Sequence, residues 1–357
     1  MSSLLFEEIK LSELILPNRI VVAPMCQYSA IDGSMNDWHI VNLGQFALGG
    51  PGMITIEATG VEPEGRITHG CTGLYSDDNE KSMERVVKFC KSVSHSKICL
   101  QLGHAGRKAS TEKPWLGGKP LDKKEAWKTF APSPIPFSND WHVPQELDEV
   151  GLRRIRTAFV SSTLRANKID IDALEIHSAH GYLFHQFLSP LSNQRKDNYG
   201  GSLENRMKFP LEVISDVRKN WPKQKPLIVR LSATDWVKDG WDIHQSIVFC
   251  NELKKIGCEI IHVSSGGLSP LQKIQIGPGY QCELSSIIKK QVGSQTIAVG
   301  MITDPIQAES ILRSGQADMV ALAREFLRNP RWTWEAAEIL NGKSSVPSQY
   351  LRAQTFN

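Results

Sequence analysis

The amino-acid sequence predicts an α/β fold in which eight parallel strands and their covering helices close into a (β/α)8 TIM barrel. Three observations carry this reading. Eight short β-branched or apolar runs alternate with longer amphipathic segments through most of the 357 residues, the alternation expected of a strand–helix repeat. Most of these runs are apolar along their whole length, as parallel strands buried on both faces are. Polar residues then concentrate just after the runs, at the strand ends where such barrels carry their chemistry. An open doubly wound sheet is the alternative that the same alternation allows.

Taken in chain order, the strand candidates are RIVVAP (19–24), GMITIEATG (52–60), KICLQLG (97–103), IDALEIH (171–177), PLIVRLS (226–232), EIIHVSS (259–265), TIAVG (296–300) and DMVALAR (318–324). Helical periodicity fills the gaps. In ELDEVGLRRIRTAFVSSTLRA, Leu152, Ile155 and Phe159 recur at spacings of 3 and 4 with arginines on the other side. DPIQAESILRSGQ begins with Asp304 as N-cap and Pro305 at the first helical position, and stops near Gly315. Two segments break the rhythm. Residues 103–146 are rich in Pro, Trp, Gly and Lys, and a connection of that length with that aromatic content reads as an ordered, lid-like insertion after the third strand. Residues 343–357 form a C-terminal tail without helical period. The chain is therefore expected to be a single barrel over 1–357, with no internal sequence repeat and no low-complexity tract.

Composition narrows the class without naming a function. With 41% hydrophobic and 22% charged residues the usage is that of an ordinary globular chain. A net charge of +3 supplies no argument for nucleic acid or an anionic membrane as partner. No run reaches the ~18 apolar residues of a membrane span. The opening MSSLLFEEIKLSEL has acidic residues where a secretory signal needs basic ones. Seven cysteines, scattered and without a CxxC, point to free thiols in a reducing compartment, so a cytoplasmic location is expected. Neither GxGxxG after the first strand nor GxxxxGK[ST] occurs, which speaks against a separate dinucleotide-binding domain.

The strand ends supply the candidate site. They are Pro24-Met25-Cys26 with Tyr28, Ala58-Thr59, Gln101, His177 with His180, Arg230, Ser264-Ser265-Gly266-Gly267, Val299-Gly300 and Ala323-Arg324. In EIHSAHGY, two imidazoles three residues apart could be half a metal site, buried histidines satisfied by backbone, or a pair of donors to one substrate oxygen with Tyr182 nearby. The metal reading lacks further ligands, with Glu175 expected to face away from His177. Arg230 at a barrel mouth needs an anionic partner, either a neighbouring carboxylate or a cofactor that gains negative charge. The small residues of SSGG, VGMI and LARE suit a phosphate held by backbone amides. Cys26 is either an inert buried thiol or a group facing the mouth.

Together these positions resemble the Old Yellow Enzyme family of FMN-dependent ene-reductases, in particular its bacterial thermophilic-like subgroup of NADPH dehydrogenases. The likeness runs from LPNRIVVAPMCQYS to VPSQYLR, and is most specific in APMCQYS, QLGHAGRK and EIHSAHGYLFHQFLSPLSNQRKDNYGGSLENR, with IVRLSATD and VGMITDP in support. It implies a barrel holding FMN non-covalently, with NADPH, or NADH in its place, as reductant and no metal. Carried over, it implies that Ala23, Pro24, Met25 and Cys26 line the flavin, with Ala58 at its ring and Gln101 at its pyrimidine edge. Arg230 would face N1 and O2, and Gly300, Ala323 and Arg324 would serve the phosphate. His177 and His180 would bind the activating oxygen of an enone or nitro-alkene, Tyr28 would lie beside it, and Tyr182 would donate a proton. Lys108 would sit near the mouth. Arg352 would reach into a partner subunit, with the tail at the interface of a homodimer or higher homo-oligomer. A flavin-storage protein and a flavin-dependent isomerase or desaturase are the competing readings. The chain departs from the subgroup's pattern in Ala323-Arg324 for Gly-Arg, in HSAH for HAAH, in a longer insertion, and in a tail ending AQTFN in place of a tryptophan.

Overall fold

The computed structural model describes residues 2–353, so residues 354–357 of the predicted tail lie outside the described residues. Eight parallel strands close into a barrel. They are β1 (Ile20–Val22), β2 (Met53–Gly60), β3 (Lys97–Gly103), β4 (Ala173–Ser178), β5 (Leu227–Ser232), β6 (Ile260–Ser264), β7 (Gln295–Val299) and β8 (Met319–Leu322). Each lies within or beside its apolar run, because strands buried on both faces need apolar side chains at successive positions. Closure is made by β8 on β1, where Val320, Ala321 and Leu322 pair with Ile20, Val21 and Val22. That pairing rules out the open sheet.

The helices cover the barrel as the periodicity requires: α1 (Asp37–Gly49), α2 (Asp77–Val93), α3 (Glu149–Lys168), α4 (Leu183–Leu188), α5 (Leu203–Asn220), α6 (Ile243–Lys255), α7 (Cys282–Val292), α8 (Pro305–Arg313), α9 (Arg324–Arg328) and α10 (Trp332–Leu340). Leu152, Ile155 and Phe159 of α3 are buried in the layer between strands and helices. Asp304 caps α8, its Oδ1 accepting the Gln307 N–H at 2.8 Å, and Pro305 opens the helix as expected.

A second, inner core fills the lower barrel with Val21, Met53, Cys99, Ala173, Ile228, Ile260, Ile297 and Met319. It is closed from below by an antiparallel hairpin, Ile9–Leu11 with Leu14–Leu16, whose Ile9, Leu11 and Leu16 join the same cluster. Residues two apart on a strand share a face. Ala173, Glu175 and His177 therefore rise along the interior of β4, as Ile228 and Arg230 do on β5 and Ile260, His262 and Ser264 on β6. This corrects the expectation that Glu175 faces away from His177: both point inward, and Glu175 is fully buried.

The insertion after β3 is ordered by short pieces of structure. It contains turns at Gly106–Lys108 and Pro114–Leu116, and Phe130–Ala131 pairs in parallel with Gln145–Glu146. The Arg107 guanidinium donates to the Ile135 and Pro136 carbonyls, and Arg195 Nη1 donates to those of Pro132 and Leu147. The tail lies at the opposite pole: a Cβ on Gly50 would sit 2.8 Å from the Ser345 oxygen, the Tyr350 ring is 5.9 Å from that of Trp334, and Ser345–Tyr350 share a cavity with Ala47, Leu48 and Lys91–His95 at the C-terminal ends of α1 and α2. Among the described residues, no helix is long and apolar enough to cross a membrane.

Candidate active site

At the mouth, the chain leaves β4 through an uncommon backbone. His180 and Gly181 both take positive φ, 58° and 73°. The loop after β6 does the same at Gly266 and Gly267, with φ of 69° and 90°. The two loops touch. A Cβ on Gly181 would sit 2.2 Å from the Gly267 oxygen, and one on Gly267 would sit 2.6 Å from His180 Cα. Glycine is required at both places, for conformation and for space. The His180 N–H is held by Ser232 Oγ at 2.9 Å, and the Gly181 N–H by His185 Nδ1 at 2.9 Å. Lys108 fastens the two loops together, its Nζ donating to the His180 and Gly267 carbonyls at 2.9 Å each while lying over the Phe137 and Tyr182 rings.

This frame brings three predicted residues together. The His177 ring is 5.1 Å from that of His180 and 4.8 Å from that of Tyr182, both contacts edge-on. Burial, with Arg230 nearby, holds both imidazoles well below their ordinary pKa, so they are neutral at neutral pH. His177 Nδ1 accepts the Ala179 N–H at 3.2 Å, which places its own proton on Nε2. His180 Nε2 lies 2.7 Å from Ser264 Oγ. Burial pushes the Tyr182 phenol well above its usual value, so it keeps its proton.

Next to the histidines, Arg230 on β5 is the register partner of both His177 and His262. Its Nε is buried without a hydrogen-bond partner. The Gln101 amide donates to Glu175 Oε1 at 2.7 Å. A cavity of about 430 Å3 runs outward from here, lined by His180, Arg230, Ser264, Gly300, Ala323 and Arg324. Gly300 has φ of 132°, and a Cβ there would come 2.9 Å from Gln281 Nε2. Gln281 is itself fixed by Ser265 Oγ and by the Val299 carbonyl. On the other side, Ala58 shares a small recess with His177 and Tyr182. It lies within an irregularity in the pairing of β2 with β3, between Ile56 and Thr59. Ala23 is buried against Ala323 in the inner core, and Pro24, Met25, Cys26 and Tyr28 follow as half-buried residues. Cys71 beside it, together with burial, pushes the Cys26 thiol up and keeps it protonated.

One predicted residue does not join them. Arg352 is exposed in the short 3-10 helix Ser348–Ala353, whose Tyr350 ring lies 5.9 Å from that of Trp334. The structure also brings in His262, Gln281 and Cys71, which were not expected there, and Glu175, which was expected to face away. Glu175 and His262 were each announced by an inward position, two residues from another inward residue. Gln281 and Cys71 carried no such signal, because loop geometry alone delivers them.

The comparisons with known proteins agree with this geometry. Residues 4–342 match the NADH:flavin oxidoreductase / NADH oxidase family, Oxidored_FMN. The chain belongs to this family. An NADPH dehydrogenase of Geobacillus thermodenitrificans is 40% identical over 358 residues, covering 100% of both chains. Among solved structures, morphinone reductase superposes with a TM-score of 0.79 at 26% identity, over 96% of this chain and 91% of that one. A 2-naphthoyl-CoA reductase complex reaches a TM-score of 0.84 at 21% identity, a likeness of fold alone, and the chain spans only 52% of it. The resemblance to Old Yellow Enzyme-type bacterial NADPH dehydrogenases therefore holds. This family member is an oxidoreductase with FMN as cofactor and NADPH or NADH as reductant. The residues present suit that group. Arg230 offers a buried, unsatisfied N–H at the inner end of the cavity, Arg324 a second guanidinium at the outer end, and Gly300 leaves room between them.

Proposed function

We propose that this flavin oxidoreductase reduces the C=C bond of α,β-unsaturated carbonyl or nitro compounds, with Tyr182 delivering the proton. The observation that carries the reading is the pair of neutral imidazoles and a protonated phenol held edge to edge at the mouth. When bound, FMN would supply the hydride, with NADPH or NADH as its source. Ala23, Pro24, Met25, Cys26, Ala58, Gln101, Arg230, Gly300, Ala323 and Arg324 would hold it.

Neutral imidazoles matter because each presents an N–H without bringing a buried charge. A substrate carbonyl or nitro oxygen takes one hydrogen bond from His177 Nε2 and one from His180, with Tyr28 alongside. These donors are fixed before the reaction, His177 by the Ala179 N–H and His180 by the backbone bond to Ser232. They strengthen as negative charge grows on that oxygen, so they stabilise the transition state more than the substrate. Tyr182 supplies the proton to the other end of the double bond, and Lys108 over its ring favours phenolate as the proton leaves. The insertion after β3 acts as the lid that limits substrate size. Arg352, far from its own mouth, completes the site of a second copy in a homodimer.

Half-reactions separate these roles. In His177→Ala/His180→Ala, reduction by NADPH is expected to stay within a few-fold of wild type. Reoxidation by cyclohexenone should fall by well over the roughly 100-fold that losing one such donor costs. Equal loss in both half-reactions would mean that the histidines serve the flavin or the fold.

A further inference from the structure

Under the mouth lies a titratable group that the proposed reaction does not use. His262 points into the barrel from β6, beside Arg230 on β5, and is fully buried. Its Nδ1 lies 2.7 Å from Glu175 Oε2, while the other oxygen of that carboxylate accepts from Gln101 at 2.7 Å. A carboxylate only accepts, so Nδ1 carries the imidazole proton. Nε2 is then a bare lone pair, buried and without a partner. Burial pushes the Glu175 carboxyl up, but His262, Arg230 and Gln101 together hold it below its ordinary value, as a carboxylate. Glu175 and Arg230 thus compensate one another while His262 is neutral.

The surroundings are otherwise sparse in charge. β3 adds the Cys99 thiol, which burial and Glu175 keep protonated, and β4 adds neutral His177 above. On the remaining strands the inward residues are Ile297 of β7, Thr55 of β2, Val21 of β1 and Met319 and Ala321 of β8, and none ionises. Burial holds His262 below its usual range, with Glu175 pulling it up and Arg230 pushing it down. A negative charge placed against Arg230 would cancel that push and leave Glu175 without its partner. Both changes favour a proton on Nε2.

We propose that His262 is the group that takes up a proton from solvent when the bound FMN is reduced, forming an imidazolium–carboxylate pair with Glu175. The inference rests on the proposed place of Arg230 against the flavin. The balance is simple. Hydride from NADPH carries two electrons and one proton and leaves NADP+ behind, so the site gains one negative charge. One proton from water, added to His262 Nε2, restores neutrality, and no other bond in the protein is made or broken. The consequence is a flavin whose potential depends on pH through a residue in the charged layer under the mouth.

The test is a proton count. Anaerobic holoenzyme is mixed with one equivalent of NADPH in weak buffer containing a pH indicator, from about pH 5 to about pH 9, a span that brackets the ordinary histidine value. Hydride transfer alone consumes no solvent proton. The wild type is expected to take up one proton per flavin bleached within a window of pH, bounded by the His262 pKa values of the oxidised and reduced states. His262→Asn is expected to bleach without uptake. Bleaching of the wild type without uptake at every pH overturns the role of His262, and so does uptake that persists unchanged in His262→Asn. If that variant loses FMN, the slope of the wild-type flavin potential against pH decides. One proton per two electrons throughout contradicts the proposal, two in part of the range with the absorbance of an anionic reduced flavin agrees with it, and two with the absorbance of a neutral reduced flavin contradicts it. Enone added at the end reports separately on the proposed reaction.

Discussion

Lys108 shows how much one side chain can hold. Its ammonium donates to the carbonyls of two strained loops and lies over two aromatic rings. Burial, with Arg107 adjacent, lowers its pKa from the ordinary lysine value to about 8. A lowered lysine pKa means that the cation is present below that pH and lost above it. Reoxidation by enone should therefore decline as pH rises through about 8, as the grip on His180 weakens. In Lys108→Met that alkaline limb should vanish and the rate below it should sit roughly tenfold lower, in line with losing a charged hydrogen bond. Stopped-flow rates across pH check both features, and an unchanged limb in the variant would free Lys108 of this role. The individual chemistry of the site was largely legible, because His177, His180, Tyr182 and Arg230 interrupt apolar runs where nothing but function or a partner tolerates them. Glu175 and His262 were equally legible by alternation, and a misplaced strand face hid the first. What no residue pattern contained was the pairing itself, such as Lys108 Nζ meeting carbonyls at positions 180 and 267, across more than 70 residues of chain.

The elements that matter most are the loops after β4 and β6. Each strand is short and stiff, and the two loops meet so closely that a single methyl group cannot enter. Gly267→Ala should push against His180 Cα and force a side chain into a backbone region that L-residues rarely adopt. A cost of about 1–3 kcal/mol follows from strain of this type. It should appear as a lower denaturation midpoint at unchanged slope, together with a loss of enone reoxidation, because His180 is the residue displaced. Gly277, with nothing within 4 Å of a Cβ, provides the control and should tolerate alanine. All eight barrel strands were readable from the sequence because burial on both faces leaves an uninterrupted apolar run. The hairpin below the barrel was not. Its strands of three residues are too short to show a period. The pairing of Phe130–Ala131 with Gln145–Glu146 inside the insertion is shorter still.

At the scale of the whole molecule, the barrel separates tasks along its axis. The hairpin and the apolar inner core close the floor, the layer of Glu175, Gln101, His262 and Arg230 gathers buried charge above it, and the loops at the mouth hold the donors that the proposed reaction uses. The tail belongs to the opposite pole, so the proposed role of Arg352 requires a second copy. Closure of the barrel itself was an inference from the count of strands, and the β8–β1 pairing that makes it spans some 300 residues, beyond any local pattern. The proposed reduction of an activated alkene by one flavin, one pair of imidazoles and one phenol is tested most directly by anaerobic mixing of the FMN-loaded protein with NADPH and then with cyclohexenone, following flavin absorbance. Bleaching by NADPH and full recovery on adding the enone, with cyclohexanone as product, is the result expected here. Bleaching that the enone does not reverse would contradict it.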